Sequence, residues 1–439
     1  MTRRLFLLAG IVLLSSCGSS SWFGEDKKVT VEGTRISVLA HDRSLKAEES
    51  AEKAEIILPR PEATPRWAQA GGYSHHNMQH LILRNEPEEI WKESIGEGNS
   101  GRNLMLAEPV VANGKVFAID AEGQVSALAL ADGDELWQKN IKSADKSTAL
   151  KGAGLAYENG LLFVTTGVGE VHALETENGG LVWRVNVDAP VRTAPTVYAG
   201  RLYVLTIDNR IIALSTYTGE KLWSYDAVAE TTALLGAPAP AADKGIVIAA
   251  FSSGEIYALK SDSGQPLWSD ALVASGGGNF VSGLSAIKGR VVIDDDVVYA
   301  IGNGNIFTAT NLLSGDRIWE KDIGGVNQPW VGGSYIFVVT NDAELVAMDK
   351  TNGKIVWIAK LPLWEDEEDR SGKIIWSGPI LASNKLIVVG SNGKLLGFSP
   401  YSGEKVSEAD MDDGIFVSPV LAEGTLLLLD EEGELSAYK

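Results

Sequence analysis

Three groups of residues have the types and the spacing that could support chemistry. His75, His76 and His80 share one short segment, and two histidines four residues apart on a helix can bind a metal ion. Three consecutive carboxylates, at residues 294–296, could attract a cation. Cys17 is the single cysteine in a chain of 439 residues, so it is the one thiol open to modification.

Structural roles explain the first two groups better than metal binding does. The three histidines precede a predicted strand and have no thiol near them, which favours capping or surface polarity. Asp294, Asp295 and Asp296 lie in a strand connection without EF-hand spacing, which favours a solvated turn. No arrangement of Ser, His and Asp indicates nucleophilic catalysis. We therefore expect no catalytic residue, no metal and no cofactor, with a bound cation as the alternative at either group.

Cys17 follows the layout of an export signal. Arg3 and Arg4 precede an apolar run too short to span a bilayer, and the segment ends in LLSSC. That ending is similar to a bacterial lipobox, in which the cysteine is acylated, here with palmitate, and becomes the first mature residue. Residues 1–16 are then the signal peptide. Each buried acyl methylene adds roughly 0.8 kcal/mol to membrane binding. By the same resemblance, Gly18 implies sorting to the periplasmic face of the outer membrane.

The segment that follows the cysteine, residues 17–66, reads as an acylated N-terminus and a flexible tether. It is polar, lacks the repeat described below and ends in a proline-broken stretch.

The charge balance excludes some partners. The chain has 58 acidic and 38 basic side chains, a net charge of −20, whereas nucleic acids and anionic lipids require clustered Lys and Arg. Five consecutive carboxylates, Glu365 to Asp369, predict a solvated loop, with a basic partner surface as the alternative.

A repeat organises the rest of the chain. The segment ALSTYTGEKLW, from Ala213 to Trp223, has the skeleton Ala-x5-Gly-x3-Trp, which occurs six times. The repeat glycines follow one another at intervals of 38 to 51 residues, a period typical of propellers and solenoids. Each unit contains four short apolar or alternating segments separated by turn residues, which predicts a four-stranded propeller blade. The first turn of a blade is predicted at Asn113-Gly114, Asn159-Gly160, Ala199-Gly200 and Lys288-Gly289.

The number of repeat units predicts a closed ring. Seven are complete, and an eighth has three strands before Lys439. The segment EEIWKESI places Trp91 in the register of the repeat tryptophan and can supply the fourth strand. The prediction is an all-β fold over residues 67–439, an eight-bladed β-propeller with four-stranded antiparallel blades whose last blade is closed by an N-terminal strand.

The repeated tryptophans are interpreted as architecture. A residue present at one register in every blade cannot mark a single active site. An indole can bury a large apolar face against the neighbouring blade, and the glycine permits a tight turn. The predicted docking residues are Trp91, Trp137, Trp183, Trp223, Trp268, Trp319 and Trp357.

The Ala-x5-Gly-x3-Trp repeat resembles the tryptophan-docking motif of quinoprotein-like propellers. Quinone-dependent dehydrogenases of that group typically use a vicinal disulfide, which a chain with Cys17 alone cannot form. A periplasmic quinone-dependent dehydrogenase is therefore the alternative function and not the favoured one.

The combination of lipobox, tether and eight docking blades resembles the BamB family of outer-membrane lipoproteins. This resemblance implies a non-catalytic scaffold of the β-barrel assembly complex, present as one copy in a hetero-complex. It also implies docking to the periplasmic domains of the barrel subunit BamA and contact with unfolded outer-membrane proteins. Two segments match the family's partner contacts in part. They offer Val191-Arg192, where Leu-Arg is typical, and Asp226 with Glu230, where Asp-x-Asp is typical.

The lipobox generates a first prediction. Replacing Cys17 with Ala removes the acylation site, so the variant should move from the membrane fraction to the soluble fraction. Fractionation of cells, with mass spectrometry of the mature N-terminus, measures this. A variant that stays in the membrane with an unmodified N-terminus would contradict the lipoprotein interpretation.

Overall fold

The computed structural model describes residues 45–48, 55–100, 104–105, 107–141, 153–191, 193–227, 238–251, 253–272 and 287–439. The chain divides into two compact units, Met1–Leu45 and Lys46–Lys439. Everything below concerns the second unit. In the described ranges all regular structure is β, and no helix there is long and apolar enough to cross a membrane. The predicted lipidation site at Cys17 lies outside the described residues.

Eight four-stranded antiparallel sheets form the blades of a propeller ring. The first strand in the chain, β1 (Glu89–Ser94), belongs to the last blade. Blade 1 contains β2 (Val110–Ala112), β3 (Lys115–Ile119), β4 (Gln124–Ala129) and β5 (Glu135–Asn140). Blade 2 contains β6 (Ala153–Glu158), β7 (Leu161–Thr166), β8 (Glu170–Glu175) and β9 (Leu181–Asn186). Blade 3 contains β10 (Thr196–Tyr198), β11 (Arg201–Leu205), β12 (Arg210–Ser215) and β13 (Lys221–Asp226). Blade 4 contains β14 (Ala241–Asp243), β15 (Ile246–Ala250), β16 (Glu255–Lys260) and β17 (Pro266–Ala271).

The second half of the ring follows the same plan. Blade 5 contains β18 (Val292–Asp294), β19 (Val297–Gly302), β20 (Ile306–Asn311) and β21 (Arg317–Lys321). Blade 6 contains β22 (Trp330–Gly332), β23 (Tyr335–Val339), β24 (Glu344–Asp349) and β25 (Ile355–Lys360). A separate hairpin, β26 (Trp364–Asp366) and β27 (Ser371–Lys373), precedes blade 7. Blade 7 contains β28 (Trp376–Ala382), β29 (Lys385–Gly390), β30 (Lys394–Phe398) and β31 (Lys405–Asp410). Blade 8 contains β32 (Val420–Ala422), β33 (Thr425–Leu429), β34 (Glu434–Tyr438) and β1.

Burial follows the position of each strand in its blade. In blade 1 the first three strands are almost wholly buried, because both faces of the sheet pack against neighbouring blades. The outermost strand β5 buries only Trp137 among its six residues. The sequence reflects this difference, since the inner strands are runs of Val, Ile, Leu, Phe and Ala, whereas the outer strand is polar around its tryptophan.

The first turn of most blades requires positive φ. Asn113 and Gly114 have φ of 54° and 70°, the type I′ conformation that matches the twist of the flanking strands. One predicted turn is wrong. The first turn of blade 5 lies at Asp295-Asp296, where Asp295 has φ of 54°, and Lys288-Gly289 lies in the connection before β18.

The tryptophans connect each blade to the next, a contact called a seam here. At seven of the eight seams an indole Nε1 donates a hydrogen bond to a backbone carbonyl of the following blade. The donor–acceptor pairs are Trp91–Leu130, Trp137–Thr176, Trp183–Thr216, Trp223–Ser261, Trp268–Leu312, Trp319–Lys350 and Trp357–Pro400, at 2.8–3.2 Å. Each of these indole rings also lies on the repeat glycine of the following blade. A Cβ on Gly264 would come 2.5 Å from Trp223, so a larger residue does not fit there.

The predicted closure of the ring is confirmed. Strand β1 pairs antiparallel with β34 and places Trp91 opposite Ala437. The backbones of Glu88 and Lys439 exchange two further hydrogen bonds. Trp91 then reaches forward to blade 1, so the N-terminal strand both completes blade 8 and forms the seam that closes the circle.

The segment that precedes β1 forms a second ring inside the first. Residues 64–83, called the capping segment below, run past the innermost strands of blades 8, 1, 2, 3, 4, 5, 6 and 7 in that order. The hydrogen-bonded pairs are Thr64–Glu423, Trp67–Val111, Ala68–Tyr157, Gln69–Val197, Ser74–Ala242, His75–Ile293, Gln79–Trp330 and Leu81–Leu381. The capping segment therefore contacts every blade at the end of the ring where the first turns lie.

Part of the predicted tether is also packed. Ile56 is 5% exposed, Tyr335 donates to the carbonyl of Glu55, and Glu48 pairs with Lys321 at 3.1 Å. Residues 46–48 and 55–66 thus lie on the propeller. The sequence had suggested a flexible tether that extends freely from it.

The closing seam generates a second prediction. Trp91 is 7% exposed, and replacing it with Ala leaves a cavity at the seam that completes the ring, so the free energy of unfolding should fall by about 3–5 kcal/mol. The neighbouring Ile90 is 42% exposed on the other face of β1, so Ile90→Ala should cost less than about 1 kcal/mol. Chemical denaturation of both variants measures the difference. Equal losses would contradict the role of Trp91 in closure.

Candidate partner-binding site

The two segments predicted to contact a partner meet at one turn of blade 3. This turn, between β11 and β12, spans residues 206–209. Val191, in the connection from blade 2, forms a β-bridge with Thr206, and Ile207 donates its N–H to the carbonyl of Pro190. Asp226, at the end of β13, lies opposite Arg210 in the strand register. Val191 in the connection that enters blade 3 and Asp226 at the end of its last strand therefore lie on either side of a single turn.

Arg210 links these two segments electrostatically. Its guanidinium donates to the carbonyl of Val187 at 3.2 Å and lies 3.5 Å from the carboxylate of Asp208 and 3.9 Å from that of Asp226. The Arg210 side chain is 25% exposed, whereas Asp226 is 79% exposed. The carboxylate thus keeps most of its surface for another cation, and Arg contacts to carboxylates are among the stronger polar ones.

Aromatic surface adjoins this charged turn. Tyr225, the residue before Asp226, lies 5.1 Å ring to ring from Tyr257 of blade 4. Both rings are partly exposed. Partly exposed tyrosines beside an Arg–Asp group have the composition typical of interface hot spots.

The predicted contact residues differ in their exposure to solvent. Val191 is fully buried, so its side chain positions the connection and does not present itself to a partner. Asp226 is exposed at the rim. Arg192 and Glu230 lie outside the described residues. Sequence reasoning missed Arg210, although its opposition to Asp226 in a predicted hairpin was the available signal.

A cavity of about 200 Å³ lies at the centre of the ring. Its lining comes from the connections that precede blades 1, 3, 4, 5, 6 and 8, from Ala70 of the capping segment and from residues 375–377 at the start of blade 7. It includes the ion pair between Glu108 and Arg290. Gly71 of the capping segment donates its N–H to Glu108 at 3.0 Å, so this segment forms part of the lining. Burial lowers the pKa of Lys288 in the cavity wall.

The histidines of the capping segment serve its packing. His76 is buried with Nδ1 2.7 Å from the carbonyl of Val291, and burial lowers its pKa to about 3, with Arg290 acting in the same direction. His80 lies between the carbonyl of Pro59 and the N–H of Asn384, at 2.6 and 2.9 Å. Burial lowers the pKa of His80 and of His75 as well. His76 and His80 hold backbone segments together inside the fold and do not provide surface polarity. His75 is half-buried and accepts the N–H of Asn77 at 3.0 Å, which is the local capping that the sequence favoured.

The two acidic groups predicted to be solvated differ in their burial. Asp294 is 7% exposed and accepts hydrogen bonds from Asn77, Gln79 and Lys350, so it anchors the capping segment to blade 5 and is not a solvated turn residue. The carboxylates from Glu365 to Asp369 lie on the exposed β26–β27 hairpin. Among the described residues, no three His, Cys, Asp or Glu side chains are grouped closely enough to hold a metal ion.

Comparison with known proteins decides the family. The family model described as "Outer membrane protein assembly factor BamB" matches residues 121–359, which is 239 of the 439 residues. The chain belongs to the BamB family. A BamB from Yersinia pestis is 27% identical over 246 residues, covering 56% of this chain and 60% of that protein. The chain spans between about half and three fifths of the length of the curated BamB relatives it matches.

Solved structures agree on the fold. The crystal structure of BamB from Moraxella catarrhalis has a TM-score of 0.69 at 16% identity, covering 81% of this chain and all of that one. A quinohemoprotein alcohol dehydrogenase from Comamonas testosteroni has a TM-score of 0.67 at 14% identity, covering 86% of this chain and 81% of that one. BamB and the dehydrogenase therefore share one propeller architecture, and the fold alone does not separate scaffold from enzyme.

The buried His76 generates a third prediction. Its folded pKa of about 3 lies below the ordinary 6.5, so below pH 6.5 the unfolded chain takes up a proton that the folded chain does not. The buried neutral His76 therefore does not lower the free energy of unfolding above pH 6.5. Below pH 6.5 it lowers that free energy by about 1.4 kcal/mol per pH unit. Between pH 7.5 and pH 5.5 the free energy of unfolding of the native protein should fall by about 1.4 kcal/mol more than that of the His76→Asn variant.

Urea denaturation of both proteins at the two pH values measures this difference. The interval from pH 8.5 to 7.5, where the imidazole is neutral in both states, is the control and should show no divergence. Parallel pH dependence below pH 6.5 would contradict the burial of a neutral His76.

Proposed function

We propose that this protein is a non-catalytic scaffold of the outer-membrane β-barrel assembly complex, docking the periplasmic domains of the barrel subunit BamA. Membership of the BamB family supports the assembly role, since the relatives carry the name of assembly factors. The same names favour a scaffold over the quinone-dependent dehydrogenase considered as the alternative. On this proposal the protein works as one copy in a hetero-complex.

The observation that carries the docking proposal is the convergence at blade 3. Arg210 contacts the connection that enters the blade and the end of the strand that leaves it. A partner that touches this turn therefore meets two chain segments at once, with Tyr225 and Tyr257 beside them. The rim is polar and charged and its neighbouring surface is aromatic, which is the usual division in a specific interface.

The lipid anchor completes the proposal. Acylation of Cys17 would hold the propeller at the periplasmic face of the outer membrane, where it would meet the barrel subunit and unfolded outer-membrane proteins. Two partners on one membrane surface search for each other at a raised local concentration, so a moderate docking affinity is sufficient.

Charge reversal at the rim generates the fourth prediction. Asp226→Lys places a cation beside Arg210 and removes the exposed carboxylate, so affinity for the periplasmic domains of BamA should fall by roughly 1–3 kcal/mol. Arg192→Glu, in the adjoining connection, should weaken the complex by a similar amount. Asp226→Lys should keep the melting temperature of the native protein, because Asp226 is mostly exposed.

Lys373→Glu is the matched control for Arg192→Glu, since it makes the same change of charge at an exposed position on the β26–β27 hairpin in the other half of the ring. Calorimetric titration of each variant against the purified BamA domains, beside a thermal melt, measures both quantities. Native affinity in both rim variants would remove blade 3 as the docking site. Equal weakening by Lys373→Glu would indicate a general charge effect instead.

A further inference from the structure

One seam of the ring lacks the interaction that holds the other seven. In the register of the docking tryptophan, blade 7 has Ser407, opposite Gly397. Blade 8 has no turn between its third and fourth strands, because its fourth strand is β1 from the other part of the sequence. The indole and the glycine turn that would receive it are therefore both missing between blades 7 and 8.

A pocket occupies this position. Its volume is about 200 Å³, and its lining includes Ser407, Ile387, Leu426, Tyr438 and Met411. Ile387 has the register of Phe117, whose ring lies 6.0 Å from the docking indole of Trp137 in blade 1. Leu426 and Tyr438 have the registers of Val116 and Leu128, which share a core cluster with Trp91. The pocket thus corresponds to the place that an indole fills at each of the other seams.

The outer wall of the pocket is the segment that leads into β1. Arg84, Asn85, Glu86 and Pro87 line it, and Lys385 of blade 7 donates to the carbonyl of Asn85 at 3.1 Å. The mouth carries charges of both signs, whereas the interior is mainly aliphatic. A dry apolar cavity of roughly 150 Å³ is large enough to bind benzene, so this pocket has room for an aromatic side chain.

We propose that this pocket binds a tryptophan, or another large aromatic side chain, on an extended segment of an unfolded outer-membrane protein. The chemistry of the occupant is argued from the seven filled seams of the same chain. Its source rests on the proposed function: strands of outer-membrane barrels carry girdles of aromatic residues, so an unfolded client presents such side chains repeatedly.

The position of the pocket is compatible with simultaneous docking. In a ring of eight blades, blade 7 lies opposite blade 3, so a partner bound at the Arg210 turn leaves the pocket between blades 7 and 8 uncovered. The scaffold could therefore hold its subunit on one side while a client segment occupies the other.

A peptide-binding experiment tests the proposal. The probes are two fluorescein-labelled heptapeptides of Gly, Ser and Thr, one with a central Trp and one with a central Ala. Fluorescence polarisation is measured on the full chain in lipid nanodiscs, with empty nanodiscs as the blank. The Trp peptide should bind at least tenfold more tightly than the Ala peptide.

Two variants identify the site. Ser407→Trp supplies the missing indole from within the chain and should reduce binding of the Trp peptide to the level of the Ala peptide. Val406→Trp, one residue earlier on the exposed face of β31, adds an indole without filling the pocket and should leave binding unchanged. If Ser407→Trp fails to fold, Ala409→Leu in the same lining replaces it under the same criteria.

Three results would overturn the proposal: equal affinity for the two peptides, unchanged binding in the filled variant, or a dimer that Ser407→Trp abolishes. The last, seen by sedimentation, would make a second copy of this chain the occupant. Because the probes contain no assembly subunit, failure here leaves docking at blade 3 intact. Native docking affinity in the rim variants, which would remove blade 3 as the docking site, would likewise leave the peptide result standing.

Discussion

The ring depends on one repeated contact, an indole of each blade resting on a glycine turn of the next. A four-stranded blade has two apolar faces and cannot bury both alone, so its stability comes from its neighbours. The tryptophan connects an exposed outer strand to the following blade through a large buried ring and one hydrogen bond to a carbonyl. The glycine is required twice, for its positive φ and for the absence of a Cβ under the indole.

The capping segment gives the ring a second set of constraints. Its hydrogen bonds reach the innermost strand of seven blades and, in blade 8, the turn that follows that strand, whereas the indoles act at the outer edge. The blades are therefore fixed at two radii. This explains why polar and titratable side chains such as His76 and Asp294 are buried there: each bonds a backbone or side-chain partner that the segment must hold in place.

The repeat made the propeller fold predictable from the sequence, whereas the structure of the irregular segments was not predictable. Glycine, alanine and tryptophan at constant spacing predict strand number, blade count and the closing role of Trp91. Residues 64–83 carry no periodic signal, because their conformation is set by eight different contacts, each made with a separate part of the chain. The sequence favours capping or surface polarity for the histidines there, and the burial of His76 and His80 follows only from contacts made in the completed ring.

The sequence predicts that the two candidate docking segments lie near each other, and it predicts only in part which of their side chains are exposed. Two connections after consecutive docking tryptophans are expected to emerge near each other on the ring, and among the described residues Val191 and Asp226 do lie on either side of the blade 3 turn. Which side chains face outward depends on local bridges, such as the one that buries Val191 against Thr206. Arg210 became visible only once β12 and β13 were paired.

The pairing of β1 with β34 also determines when the molecule can become native. Glu89 and Tyr438 are separated by 349 residues, and both the closing strand and the capping segment are made before any blade they contact. During synthesis from the N-terminus, these segments must wait until almost the whole chain has emerged. Contacts so distant in sequence slow folding, because the entropy of closing a long loop is lost before the contact forms. Until then blade 8 has an unpaired edge and blade 1 has an uncovered face, and the growing chain is most exposed to aggregation just before its ring closes.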